Sequence, residues 1–347
     1  MAPLLLVLRL LVMGLGLGVI TGTSLRLLAP RLALGASSRP APAEPAPGFG
    51  SDRVVGSPNK ATALGRFEPR QELTALSQRW QQLAAVHKDL TASGFLLVLD
   101  DGRFAQLQSD LPLPAASSIK TPILLVGLDA YDAGQLRWSE PLVMTKEVIG
   151  GGAGWMASRP VGSRFPFFEA ASEMIRVSDN TATNLLIKRL GGKTRLNQQF
   201  AALGLSATKV NNWLPDLNGT NTTSSRDLAR AIALVDTGQK LGPRARDLFR
   251  EIMGISRTNT LIPLGLLQGL GRDAADPDSE LRPFGISVYN KTGDIGIAYA
   301  DGALVELPTG QRAVLAFMVK GPFNDPRSTD LIRAMAAEVA KTLVGRR

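Results

Sequence analysis

The chain has 347 residues, enough for one large domain or two small ones, and its 44% apolar content can fill a real core. It holds no cysteine and one histidine, which excludes a cysteine nucleophile or cysteine-bound zinc and leaves any Ser-His-Asp triad dependent on His87. The net charge of +9 comes from scattered basic residues with only 5% aromatics, so no basic block with interleaved aromatics marks a nucleic-acid partner.

At the amino terminus Met1 to Leu8 is apolar, Arg9 interrupts, and Leu10 to Ile20 is apolar again. That second run has the length of a signal-peptide core and falls short of a full span of about 20 residues. If Arg9 reaches the interface, Leu4 to Leu28 reads instead as an uncleaved anchor. Residues 1–35 are therefore a signal peptide or a membrane anchor, and export to the periplasm or the outer face of the cytoplasmic membrane is expected. Residues 36–67, rich in Pro, Ala, Ser and Gly, read as a linker.

From Arg70 to Leu90, Leu73, Leu76, Trp80 and Leu83 recur at helical spacing, with His87 on the same helix as a packing or surface residue. Phe95–Leu99 and Phe104–Leu107 flank Asp100-Asp101-Gly102 and predict a hairpin ended by Pro112 and Pro114. The apolar stretch Ile119 to Leu128 predicts a buried helix. Helical patterns follow at 167–177, 182–190, 224–235 and 245–253, and strand-like runs at 285–289, 296–305 and 313–319. A last helix is expected over 328–343. Strands at both ends of a helical middle predict an α+β fold, its α/β part at about 68–115 and 276–347 and its helical part at about 116–275.

Three motifs stand in order on this frame: Ser117-Ser118-Ile119-Lys120, Ser178-Asp179-Asn180 and Lys291-Thr292-Gly293. The first pattern also occurs at Ser57–Lys60 and Ser206–Lys209, but only Ser117 opens a buried helix. Ser117 and Lys120, three apart, share a helix face, and the free N–H groups of a helix start favour an alkoxide or oxyanion. A buried lysine of depressed pKa can take the serine proton. Taken singly, the other two motifs are a helix cap and a hairpin turn, with Gly293 allowing close backbone approach. As an ordered set they supply a nucleophile, a base and a carboxylate anchor without histidine. Gly192-Lys193-Thr194 is not a phosphate loop, because Ile187 stands where its first glycine belongs.

At these residues the chain resembles the class A β-lactamase family and its penicillin-binding relatives. The resemblance extends to Arg176–Leu186, which is similar to that family's S-D-N helix. It extends also to Leu217-Asn218 and Thr222–Ala229, similar to its Ω-loop and following helix, and it covers roughly residues 70–347. It implies an antiparallel five-stranded sheet with flanking terminal helices, an inserted helical lobe, and no metal or organic cofactor. It implies Ser117 as the acylated nucleophile, Lys120 as its proton acceptor, and Ser178 as the proton relay to the leaving nitrogen. Asn180 would bind the substrate amide, Lys291, Thr292 and Gly293 its carboxylate, and the backbone N–H groups of Ser117 and Asp294 would form the oxyanion hole. The substrate class would be a β-lactam or a peptidoglycan-like amide. The family's deacylating glutamate precedes its Leu-Asn pair by three residues, and Leu214 stands at that position. Asp216 and Asn218 are the remaining candidates for positioning water. The implied readings are a β-lactamase with impaired deacylation, a D,D-peptidase-like protein, or a sensor that binds without turnover.

Overall fold

The computed structural model describes residues 66–273 and 276–345; the expected targeting segment and all but the end of the linker lie outside them. The described chain enters through strand β1 (Gln71–Glu72) and helix α1 (Thr74–Ala85), then β2 (Thr91–Val98) and β3 (Arg103–Leu107). After β4 (Leu113–Pro114) and a tight turn, Ala116–Ile119, comes α2 (Lys120–Asp132). The middle holds β5 (Pro141–Val143), β6 (Arg164–Pro166), α3 (Phe167–Arg176), α4 (Asn180–Arg189), α5 (Gly192–Ala202) and β7 (Thr222–Thr223). It continues through α6 (Ser225–Asp236), α7 (Pro243–Gly254), α8 (Ile262–Gly269) and α9 (Pro277–Leu281). The chain closes with β8 (Ser287–Asp294), β9 (Ala298–Glu306), β10 (Arg312–Lys320) and α10 (Pro326–Leu343).

The main sheet has the order β1-β3-β2-β10-β9-β8. Five strands are antiparallel, as expected; the two-residue β1 adds a sixth at the edge, parallel to β3, so the sheet is mixed. Both faces are covered. Phe95, Leu97 and Val314 join the core shared with the helical lobe. Leu96, Val98, Leu315 and Phe317 join Trp80 and the residues of α8 and α10 on the opposite side. Alternate side chains of a strand point to opposite faces, so a sheet buried twice needs unbroken apolar strands such as β2 and β10. Trp80 anchors the second core, its ring edge-on to Phe317 at 5.1 Å and its indole N–H donating to the Met335 carbonyl at 3.0 Å.

Some elements differ from the sequence expectation. Helix α1 stops at Ala85, so His87 lies in the turn beyond it. Helix α5 has only Leu196 and Phe200 fully in the core, too sparse a stripe to read. Helix α8 begins Ile262-Pro263 and contains Gly265, which look like breakers, and it packs on α10 although it falls inside the span expected for the helical part. The strand expected at 285–289 continues through Lys291-Thr292-Gly293 to Asp294, because a buried polar edge carries no alternating apolar signal.

Helices α8 and α10 cross closely at Gly265, where a Cβ would lie 2.5 Å from the Arg333 carbonyl. Gly265→Val should therefore destabilise the fold by about 1–3 kcal/mol or more, through overpacking. Urea denaturation checks this, and an unchanged midpoint would contradict the crossing.

Candidate active site

Ser117 does not itself begin α2; it sits in the tight turn Ala116–Ile119 that feeds Lys120 into the helix. Ala116, just before it, has φ 46°, a left-handed value that non-glycine residues adopt at an energetic cost. The turn is pressed against β8 at Gly293, where a Cβ would lie 2.8 Å from Ser117 N and 2.7 Å from Ser118 N. Only glycine permits this approach, which brings the K-T-G strand alongside the backbone N–H of Ser117. Asp294 follows directly; its exposed carboxylate accepts the Gly296 N–H at 2.8 Å, so it faces the β8–β9 turn.

Lys120 is fully buried. Its Nζ lies 3.0 Å from Ser117 Oγ, 2.9 Å from Ser178 Oγ, 2.6 Å from the Ser178 carbonyl and 2.9 Å from Asn180 Oδ1. Two of these neighbours, the carbonyl and the amide oxygen, can only accept. A neutral amine has two N–H bonds for them and a lone pair left for a serine hydroxyl, whereas an ammonium has three donors and no acceptor. Burial, and then the like charge of Lys291, drive the Lys120 pKa well below its ordinary value, against the opposing pull of Asp179. The arrangement can thus hold a neutral amine next to Ser117.

Helix α4 organises the surroundings through its first turn. Ser178, with φ 61°, turns the chain so that its carbonyl and hydroxyl both reach Lys120. Asp179 caps the helix by accepting Ala182 N–H at 2.9 Å, and its other oxygen accepts Trp155 N–H at 2.7 Å and Met156 N–H at 2.9 Å. Gly154 has φ +83° and a Cβ there would overlap Asp179, so the loop needs glycine at that point. Asn180 donates to the Gly151 carbonyl at 2.8 Å while presenting Oδ1 to Lys120, and its second amide hydrogen remains for another acceptor. Thr181 Oγ1 accepts Gly150 N–H at 3.0 Å. The loop 150–156 is thereby bound to the S-D-N turn by three consecutive side chains.

One turn on, Asn184 grips Leu214: its Oδ1 accepts Leu214 N–H at 2.9 Å and its Nδ2 donates to Leu214 O at 2.7 Å. The Leu214 side chain is buried in the helical-lobe core, and the Leu214–Pro215 peptide is cis. Asp216 is buried as well, with Oδ1 accepting Thr220 Oγ1–H at 2.9 Å and Oδ2 accepting Asn221 N–H at 2.6 Å. Both of its oxygens therefore bind their own loop, an arrangement that holds Asp216 as a loop tie rather than a water base. Asn218 is exposed on the same loop.

On β8, Lys291 is fully buried and donates to the Thr292 carbonyl at 2.7 Å. Burial pushes its pKa down to about 8, opposed by the charge of Asp301. The structure thus gathers Ser117, Lys120, Ser178 and Asn180 within hydrogen-bonding contact and lays Gly293 against them. Sequence reasoning gave no role to Asn184, Trp155, Asn290 or Asp301. Asn184 was detectable as the next asparagine on the Asn180 face, four residues on.

A family model described as the beta-lactamase enzyme family matches residues 75–343. The chain belongs to the beta-lactamase enzyme family. Within this family of serine hydrolases, it is 27% identical over 284 residues to a beta-lactamase of Amycolatopsis lactamdurans, covering 79% of this chain and 85% of that one. A structure of PBP-A is 42% identical, covers 80% of this chain and 99% of its own, and superimposes with a TM-score of 0.73. A leucine-to-glutamate variant of PBP-A, solved as an acyl-enzyme complex with penicillin G, matches equally well, at 42% identity and a TM-score of 0.73. An ancestral class A beta-lactamase, 22% identical with a TM-score of 0.67, shares the fold.

In a beta-lactamase-family site, moving Gly293 should be costly. Gly293→Ala forces β8 off the Ser117 turn and should slow labelling by a fluorescent penicillin by about 10²–10³-fold, the range lost when one oxyanion-hole donor is removed. Stopped-flow labelling of the folded variant checks it, and a wild-type rate would show that the close approach is dispensable.

Proposed function

We propose that this chain is an exported, penicillin-acylated member of the family: a β-lactam or related amide acylates Ser117, and release is slow. The observation that carries this reading is the hydrogen-bonded cluster of Ser117, Lys120 and Ser178; the resemblance adds that Leu214, a buried apolar side chain, stands at the position of the family's deacylating glutamate.

In the proposed reaction the Lys120 amine takes the Ser117 hydroxyl proton as Oγ attacks the carbonyl carbon. The oxyanion forms at the backbone N–H groups of Ser117 and Asp294. The C–N bond then breaks, and the proton passes from Lys120 through Ser178 Oγ to the leaving nitrogen, 2.9 Å separating the two relay atoms. An ester on Ser117 and a free amine remain. Lys291 and Thr292 receive the substrate carboxylate, and the second Asn180 amide hydrogen meets the substrate amide. Hydrolysis of the ester needs a base for water, which Leu214 cannot supply and which Asp216, with both oxygens engaged, does not offer.

A peptidoglycan stem peptide is the second reading of the natural substrate. It is favoured by the same Leu214, because slow hydrolysis leaves the ester for an amine acceptor, and by the similarity to PBP-A.

Two variants test the proposal. Ser117→Ala should abolish fluorescent-penicillin labelling, and residual labelling elsewhere would overturn the nucleophile. Leu214→Glu should raise steady-state penicillin hydrolysis by about 10²–10⁴-fold, the usual contribution of a general base. No gain there would mean that Leu214 is not what limits release.

A further inference from the structure

The rim of the site beside Asn180 is made of backbone. Residues 150–154 read Gly-Gly-Gly-Ala-Gly, so the methyl group of Ala153 is the one side chain in five positions. The stretch is nonetheless tied down along its length. Gly150 N–H donates to Thr181 Oγ1 at 3.0 Å, the Gly151 carbonyl accepts from Asn180 Nδ2 at 2.8 Å, and the Ala153 carbonyl accepts from Asn180 N–H at 3.2 Å. Just beyond, Trp155 is fixed at both ends. Its backbone N–H donates to Asp179, and its indole N–H donates to Glu173 Oε2 at 2.7 Å, a carboxylate that Arg176 grips with two bonds of 2.7 Å. A rim held this way keeps its place, so the missing side chains leave a lasting gap. The glycines are bare for different reasons. At Gly150 a Cβ would overlap the Leu214 carbonyl, so packing requires glycine. Gly151 has no left-handed φ and nothing within 4 Å of its Cβ position, so the fold does not require glycine there. Gly152, exposed and with φ +92°, would place a Cβ in open space with one neighbour, Asn180 Nδ2 at 3.8 Å. A side chain at 152 would therefore stand at the amide that has a second hydrogen to give.

We propose that Gly151 and Gly152 are specificity-determining residues: their bare backbone leaves room beside Asn180 for a bulky substituent on the substrate's acyl amide, so the site takes substrates that carry a peptide-sized acyl group. The inference rests on the proposed role of Asn180 and narrows the substrate class. Both substrate readings present such a group at this point, a stem peptide through its preceding residues and a penicillin through its variable side chain. Discrimination by size comes from clashes built against the wrong ligand, and here the clash is absent by construction.

The test compares second-order acylation rates of the full chain, read by intact mass, for two penicillins that differ in the acyl group: 6-acetamidopenicillanate, which is small, and piperacillin, which is bulky. The wild type should react with piperacillin at least as fast as with the acetamide. Gly152→Ala carries the cost of left-handed backbone without the bulk, and its ratio of the two rates should stay near that of the wild type. Gly152→Phe adds the bulk at the same backbone cost, and its ratio should fall against piperacillin by at least about tenfold, the lower end of what one group too many in a pocket costs. A Gly152→Phe variant that slows both penicillins alike, or neither, would show that the rim is structural and overturn the inference. If Gly152→Phe does not fold, the wild-type ratio decides, and a clear preference for the acetamide overturns it. These results leave Ser117 acylation standing. A wild type that neither penicillin acylates refutes the proposed function, and this inference with it.

Discussion

Everything in the site follows from burying one lysine amine without a carboxylate in contact with it. Lys120 Nζ is ringed by two hydroxyls, a carbonyl and an amide oxygen, all within 3.0 Å. Such a ring favours the neutral amine, because desolvation penalises the ammonium and polar oxygens compensate only part of that penalty. To close the ring, the chain accepts left-handed backbone at Ala116 and Ser178. Each such residue costs on the order of 1–3 kcal/mol and persists only where its surroundings over-determine it. Here they do: β8 packs on one turn at Gly293, and Asp179 locks the other to the loop carrying Trp155 and Met156.

The first turns of α4 then extend this order outward. Asp179, Asn180 and Thr181 fix the loop 150–156, and Asn184 fixes Leu214. One short helix therefore holds both loops beside the nucleophile in a single arrangement. The same economy explains how the proposed serine hydrolase site, with no role for histidine, is assembled. Lys120, Ser178 and Lys291, the proposed base, relay and anchor, come from three separate segments. The loop that ends at Leu214 is as firmly built as the rest, so its apolar side chain is part of the design of the proposed site rather than a frayed remnant.

Much of this was legible in the residues. The three motifs pointed to Ser117, Lys120, Ser178, Asn180 and Lys291, and the apolar runs located β2, β10, α2 and α10, because buried strands and helices declare themselves by unbroken or periodic apolar residues. Less legible was anything held by polar contact. The K-T-G strand is buried yet polar, so its continuation to Asp294 gave no pattern. Helix α8 was hidden by Pro263 and Gly265, which suit a first turn and a close crossing instead of a loop. Asp301 carried no signal, since a single acidic residue inside a strand-like run shows its burial only once its partners across the sheet are seen.

The most direct test of the account is an intact-mass time course of the full chain mixed with benzylpenicillin. The account predicts one covalent adduct per chain, mapped to Ser117, that forms quickly and persists long after free drug is removed. An adduct that clears rapidly while hydrolysed penicillin accumulates would contradict slow release and require a water base other than Leu214 or Asp216. A complete absence of adduct would contradict acylation of Ser117 by a β-lactam.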